Sequence, residues 1–410
     1  MQIFDLLSVI ALVMIHQPMH LGAMHKISSV FKSILAVIFW LTLLSLPATA
    51  QLYQSRAQQA ILIDMETGSI LFQQDAERAA PPASLTKTMT TAIVFDALKR
   101  GEITMETEFE VSEHAWRTGG APARGSTMFA ALGSKISVAD LLRGLIVQSG
   151  NDSAIILAEG LSGSEEDFAK RMNDFGKTLG LQDSNFANPS GLPHPDQRVS
   201  PRDFVRIARY IIEEHPEYYK IFAERDFLWN GIRQSNRNPL LSAPIGADGM
   251  KTGFSQEAGY GLIGSAVQDG RRLIAVLMGL RKESDRALDG RRLLEWGFTA
   301  FDAVEVFPAG MEVGRVRVYG GSKGRVGAQT KEPVVALMPK QSRDALEGRI
   351  VYTGPISVPI TQGDKIADLH VYSGNRLVVV SPLFASETME TAGVLGRAIG
   401  GVGEFLFGWL

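Results

Sequence analysis

Ser84-Leu85-Thr86-Lys87 sets a hydroxyl and an amine three residues apart. On a helix that spacing stacks the two side chains on one face, one turn apart. A Ser at a helix start sits among backbone N–H groups and the positive end of the dipole, where developing negative charge is favoured. A Lys one turn deeper, desolvated in an apolar helix, has its pKa pulled down and can act as a base. The pair is therefore a nucleophile with its own activator and no need of His. The pattern alone is common: Ser29-Val30-Phe31-Lys32 repeats it.

Ser149-Gly150-Asn151 offers a hydroxyl that can relay a proton and an amide that can hold a substrate carbonyl or the lysine. It too has a double, Ser373-Gly374-Asn375, and read alone either is a turn. Lys251-Thr252-Gly253 occurs once. On an edge strand its Lys and Thr can bind a carboxylate by charge and hydroxyl, and its Gly lets a substrate backbone lie close. Order separates signal from noise. Ser-x-x-Lys, Ser-x-Asn and Lys-Thr-Gly follow one another well separated along the chain, and both doubles fall outside that order.

The elements around these motifs suit their chemistry. Ala60 to Asp64, a Thr67-Gly68 turn and Ile70 to Gln73 read as a β-hairpin. Pro81-Pro82 leads into a helix from about Ser84 to Lys99, whose Leu85, Met89, Ala92, Ile93, Val94 and Leu98 predict burial. Val138 to Gly160 is helical, broken at Gln148-Ser149-Gly150-Asn151. Ala187 to Pro201 is rich in turn residues and predicts a long surface loop bordering a site, followed by a helix from Pro201 to Glu214. Gly249 to Phe254, Tyr260 to Ala266 and Leu273 to Gly279 predict an antiparallel sheet edge, with a helix from Ala287 to Phe298 packed on it. Beyond Phe307, short alternating strands such as Glu312 to Tyr319, Val334 to Met338 and Ile366 to Tyr372 predict a small all-β domain. The class is α+β.

Composition narrows the function. A chain of 410 residues with 45% apolar residues supports two domains. A net charge of −3 argues against nucleic acid as a partner, and the absence of Cys excludes disulfides, thiol nucleophiles and Cys-ligated metals. His114, His194, His215 and His370 are scattered without metal-ligand spacing and read as surface or loop residues, so no metal cofactor is expected. His25, Lys26 and Lys32, an apolar run from Ile34 to Leu46 and Pro47-Ala48-Thr49-Ala50 predict a secretory signal peptide cut after Ala50. The run is short for a membrane span, which needs about 20 residues. Met24 offers an alternative start, which would leave residues 1–23 as an untranslated extension.

The ordered motifs are those of penicillin-binding proteins and class A β-lactamases. The chain after residue 51 resembles the low-molecular-weight penicillin-binding proteins, the D-alanyl-D-alanine carboxypeptidases of serine peptidase family S11. The likeness runs through Pro82-Ala83-Ser84-Leu85-Thr86-Lys87-Thr88-Met89-Thr90, Ser149-Gly150-Asn151-Asp152, Asn188-Pro189-Ser190-Gly191-Leu192, Gly249-Met250-Lys251-Thr252-Gly253 and Trp296-Gly297-Phe298. It implies a β-lactamase/transpeptidase-like antiparallel sheet flanked by helices, then the small all-β domain and a C-terminal helix. It implies boundaries at 1–50 for export, 51–306 for the catalytic domain, 307–385 for the β-rich domain and 386–410 for the helix.

The resemblance also implies roles. Ser84 is the acylated nucleophile and Lys87 its general base, while Ser149 and Asn151 serve the proton relay and substrate holding. Lys251 and Thr252 bind the terminal carboxylate, helped by Arg286, and the N–H groups of Ser84 and Phe254 form the oxyanion hole beside Gly253. Relatives often carry His after Lys-Thr-Gly; Phe254 stands here, a change that bears on deacylation and substrate preference. The implied reaction removes the terminal D-alanine from a peptidoglycan pentapeptide without a metal or organic cofactor, and β-lactam antibiotics should acylate the same Ser. The implied location is the periplasm, at the outer face of the cytoplasmic membrane, with peripheral contact through the C-terminal helix. Phe405, Leu406, Phe407, Trp409 and Leu410 give that helix apolar mass, although Arg397 is its one cation beside Glu387, Glu390 and Glu404.

Three rivals have discriminating features. A β-lactamase needs a carboxylate for its deacylating water, and no Glu-x-x-x-Asn lies between Asn151 and Lys251. A DD-endopeptidase breaks the same bond type and shares the motifs. A degenerate wall-binding protein would not need the full motif set.

Overall fold

A computed structural model describes residues 53–340 and 345–392. The signal-peptide segment and residues 393–410 of the expected C-terminal helix lie outside the described residues. The helix expected from 386 does not start there, because 386–392 run along the β-rich part with Met389 bridged to Ile360 and Thr391 to Gly321. Strands β1 (Gln59–Asp64) and β2 (Ile70–Gln74) form the expected hairpin. A 3₁₀ turn, Ala83–Thr86, runs directly into α1 (Lys87–Lys99). The helices that follow are α2 (Glu113–Thr118), α3 (Val138–Ile146), α4 (Asn151–Ser162), α5 (Glu165–Thr178), α6 (Pro201–Glu214) and the short α7 (Pro216–Tyr219). Among them lie two small antiparallel pairs, β3 (Glu108–Glu110) with β4 (Lys135–Ser137), which α2 separates along the chain, and the hairpin of β5 (Asp226–Trp229) with β6 (Ile232–Ser235). Strands β7 (Ala247–Ser255), β8 (Gly259–Gln268) and β9 (Arg271–Leu280) precede α8 (Glu283–Thr299).

The main sheet has the order β2-β1-β9-β8-β7 and is antiparallel throughout, with β7 on its edge. Both faces are covered, and the two-residue period of a strand divides the apolar residues between them. Ile61 and Ile63 join the helical core around α1 and α6, whereas Ala60 and Leu62 join the layer under α8. Helix starts are fixed by side-chain caps. Ser112, Ser137, Ser164 and Ser200 each accept a hydrogen bond from the N–H three residues on. Helix α1 is buried on almost every face, and two of its threonines find partners inside: Thr91 Oγ1 donates to Lys87 O and Thr90 Oγ1 to Pro189 O.

His215 is fully buried where α6 meets α7, against Phe95 and Tyr210, and not on the surface as its place in the sequence suggests. The apolar residues of α1 and α6 close over it. Both of its ring nitrogens lack a partner among the described residues, and burial pulls the imidazole pKa down. The segment from Ala187 to Pro201 likewise presses inward, with Ser190, Gln197, Val199 and Ser200 buried.

The C-terminal part is all β. Strand β10 (Phe301–Phe307) pairs with β13 (Val334–Pro339). A six-stranded sheet orders β14 (Leu346–Val351), β16 (Lys365–Ser373), β17 (Arg376–Ala385), β12 (Arg325–Gln329), β11 (Glu312–Tyr319) and β15 (Ile356–Ser357). The two sheets share an apolar core that includes Val316, Val326, Val334, Leu369, Val371 and Leu383. Buried Ser69, in the β1–β2 turn, ties this part to the main sheet by accepting from Leu337 N at 3.0 Å.

Candidate active site

Four segments converge on Lys87: the 3₁₀ turn, the start of α4, the loop around Ser190 and strand β7. Its side chain is fully buried. Lys87 Nζ lies 3.1 Å from Ser84 Oγ, 2.7 Å from Asn151 Oδ1 and 2.5 Å from Ser190 O. Burial, and then the charge of Arg237, lower its pKa to about 7, with Asp152 opposing. A neutral amine has two N–H donors and one lone pair. Asn151 Oδ1 and Ser190 O take the two donors, which leaves the lone pair for the Ser84 hydroxyl. The arrangement is a base poised near neutrality against a nucleophile.

Backbone geometry around the nucleophile is tightly determined. Ala83, just before Ser84, has φ +47, and Ser149 has φ +64. Such conformations persist only where packing over-determines them. Gly191 supplies part of that packing. It has φ +78, and a Cβ built there would stand 1.9 Å from Ala83 O. Gln197 clamps the same loop: its Nε2 donates to Thr86 Oγ1 at 2.8 Å, and its Oε1 accepts from Ala187 N and Asn188 N. Gly253 has an internal reason as well. A Cβ there would come within 3.1 Å of Leu85 N and Pro82 O, so the bare strand lets the nucleophile's turn dock on β7.

In front of Ser84 opens a cavity of about 420 Å³ lined by Ser126, Ser149, Arg237, Thr252, Gly253, Phe254, Tyr260, Glu283 and Arg286 besides Ser84 itself. Ser149 Oγ is buried and has no partner among the described residues. The structure thus brings Ser84, Ser149, Thr252, Gly253, Phe254 and Arg286 to one cavity, with Lys87 and Asn151 beneath its floor. Lys251 is set deeper than the sequence suggests. It is buried, its Nζ donates to Thr252 O at 3.1 Å, and burial together with Lys87 holds its pKa well below the ordinary lysine range. Phe254 is half exposed and stacks on Tyr260 with ring centroids 4.3 Å apart.

Sequence reasoning missed Arg237 and Asp152. Arg237 follows the β5–β6 hairpin, and its Nη1 donates to Ser126 Oγ at 2.7 Å across the mouth. No spacing rule links it to the three motifs. The Asp152 carboxylate is buried and accepts from Thr127 Oγ1 and the N–H groups of Met128 and Ala130, while Asn151 N donates to Ser126 O. That network pins the loop bearing Ser126 to the start of α4, and adjacency to Ser-x-Asn was its only signal.

Residues 46–282 match the family model described as D-alanyl-D-alanine carboxypeptidase, Peptidase_S11, and residues 301–391 match the penicillin-binding protein 5 C-terminal domain. The chain is 36% identical over 347 residues to the D-alanyl-D-alanine carboxypeptidase DacA of Haemophilus influenzae, covering 84% of this chain and 88% of that one. Penicillin-binding protein 5 from Haemophilus influenzae superposes with a TM-score of 0.67 at 36% identity, over 83% of this chain and 99% of that structure. Penicillin-binding protein D2 from Listeria monocytogenes in its ampicillin-bound form superposes with a TM-score of 0.53 at 29% identity, over 60% of this chain and 99% of that structure.

Proposed function

The chain belongs to the Peptidase_S11 family of D-alanyl-D-alanine carboxypeptidases, and from that premise we propose how its residues carry the reaction. It is a serine-type D-Ala-D-Ala carboxypeptidase and a penicillin-binding protein acting on peptidoglycan. Ser84 Oγ attacks the carbonyl between the last two D-alanines of a stem pentapeptide, and its proton passes to the neutral Lys87 amine. The backbone N–H groups of Ser84 and Phe254 hold the oxyanion of the tetrahedral intermediate. Lys87, through Ser149, returns the proton to the departing D-alanine nitrogen. Water then adds to the Ser84 ester under base catalysis and restores the hydroxyl. Thr252, Arg286 and Arg237 hold the substrate's terminal carboxylate, with Lys251 adding positive potential from below. The observation that carries this reading is the Ser84–Lys87 contact of 3.1 Å with the amine's two N–H groups engaged elsewhere.

The catalytic body works outside the cytoplasmic membrane after export, and the β-rich part, which begins with β10 at Phe301 and not at the expected position 307, carries it. The apolar residues near the C-terminus, Phe405 to Leu410, touch the membrane surface peripherally. The test is labelling with fluorescent penicillin, comparing the wild type with Ser84→Ala. Stoichiometric covalent label on the wild type and none on Ser84→Ala is expected. Equal labelling of both would overturn the nucleophile assignment, and rapid nitrocefin turnover in place of labelling would favour a β-lactamase.

A further inference from the structure

Arg286 is almost entirely buried in the cavity wall, and its guanidinium lies over the Tyr260 ring, 5.5 Å from the centroid. Its Nη2 donates to Glu283 Oε1 at 2.8 Å, one turn earlier on α8. Its Nε is buried and meets no acceptor among the described residues. Glu283 therefore engages the guanidinium through one N–H and leaves its capacity for a second, parallel bond unused. The Glu283 side chain is 71% exposed, yet it lines the cavity and is the single anionic residue to do so beside Arg237 and Arg286.

We infer that Glu283 is a resident carboxylate: it occupies Arg286 while the cavity is empty and is displaced into solvent by the terminal carboxylate of an arriving ligand. The inference rests on the reading of Arg286 as a carboxylate holder. Displacement is easy for a side chain that already projects into water. Arg286 keeps its place without Glu283, because the Tyr260 ring and the burial of its own stem hold it. The effect is a threshold. A ligand must bring a carboxylate that grips Arg286 better than Glu283 does, so neutral chain ends gain nothing from this wall of the cavity. Half-solvated ion pairs of this kind shift an equilibrium by roughly two- to fivefold, which sets the size of the threshold.

A merely structural ion pair predicts the opposite sign, since a Glu283 that aims Arg286 would help binding. The experiment compares wild type with Glu283→Gln, a change at an exposed position that keeps side-chain shape. KM and kcat are measured on a peptide ending in D-Ala-D-Ala, and acylation rates are measured with benzylpenicillin and with its carboxyl methyl ester. KM for the peptide should fall about two- to fivefold with kcat held, and acylation by benzylpenicillin should quicken by a similar factor while the ester is unaffected. A KM that rises or stays put, or an ester that gains as much as the acid, overturns the inference. A wild type that reacts equally with acid and ester removes the underlying reading of Arg286 and the inference with it.

Discussion

Asn151 Oδ1 and Lys87 Nζ, 64 residues apart in the chain, meet at 2.7 Å. That contact takes one of the two N–H donors left to Lys87 once it gives up its proton. The acylation rate of Ser84 should therefore rise with pH through about 7, where the amine becomes neutral, and level off above. Asn151→Ala removes one holder and should slow acylation about tenfold, the effect of losing one buried hydrogen bond. Stopped-flow labelling with a fluorescent penicillin reads both. A rate independent of pH across the neutral range would contradict the base assignment.

Arg237 reaches the same amine through its charge. It is one cause of the low Lys87 pKa, second to burial. Arg237→Gln removes a nearby positive charge, which favours the ammonium, so the inflection of the pH–rate profile should move upward. An unmoved or lowered inflection would show that Arg237 does not act on Lys87.

Lys87 also links pH to stability. Its folded pKa of about 7 lies below the 10.5 of an ordinary lysine. Between those values the unfolded chain holds a proton that the folded chain lacks, so stability rises with pH through that window. Lys87→Met should flatten this rise in urea unfolding followed at several pH values, while abolishing penicillin labelling. An unchanged slope in the variant would refute the linkage.

His215 should act on the acid side. It is buried and its folded pKa lies below the 6.5 of an ordinary histidine. The unfolded chain takes up a proton below that value which the folded site resists, so stability falls as pH falls through and below it. His215→Phe should retain more of its neutral-pH melting temperature in acid than the wild type does. Parallel losses in the two proteins would rule His215 out as a source of acid sensitivity.

Gly191→Ala tests the packing behind the nucleophile. With φ +78 and Ala83 O in the path of a Cβ, the substitution should cost on the order of 2 kcal/mol or more and depress labelling of Ser84. A variant with the wild-type melting temperature and labelling rate would mean that the loop yields freely.

Much of this was legible in the sequence because the site is built from short motifs at the ends of regular elements. The helix after Ser84, the break at Ser149–Asn151 and the edge strand of Lys251–Gly253 each carry strong local periodicity or turn chemistry. Other features had weaker signals. Helix α5 buries only Phe168, Ala169, Met172 and Gly176, a stripe too thin to stand out among its charges. His215 is enclosed by partners distant in sequence, a relation that composition does not encode. The cavity role of Arg237 depends on the path of the β5–β6 hairpin. A second reason for Gly253 was hidden for the same cause: it also makes room for the chain's own turn at Pro82–Leu85, far earlier in the sequence.

Ser69 sits with no exposed surface in the turn between the first two strands, accepting from Leu337 N of the all-β part. Arg376 Nη1, at the start of β17, adds a bond to Leu71 O. The two bonds fall within three residues of one another, on the edge strand β2 and the turn before it. They tie the β-rich part to one edge of the main sheet, whose opposite edge, β7, supplies Thr252, Gly253 and Phe254 to the cavity.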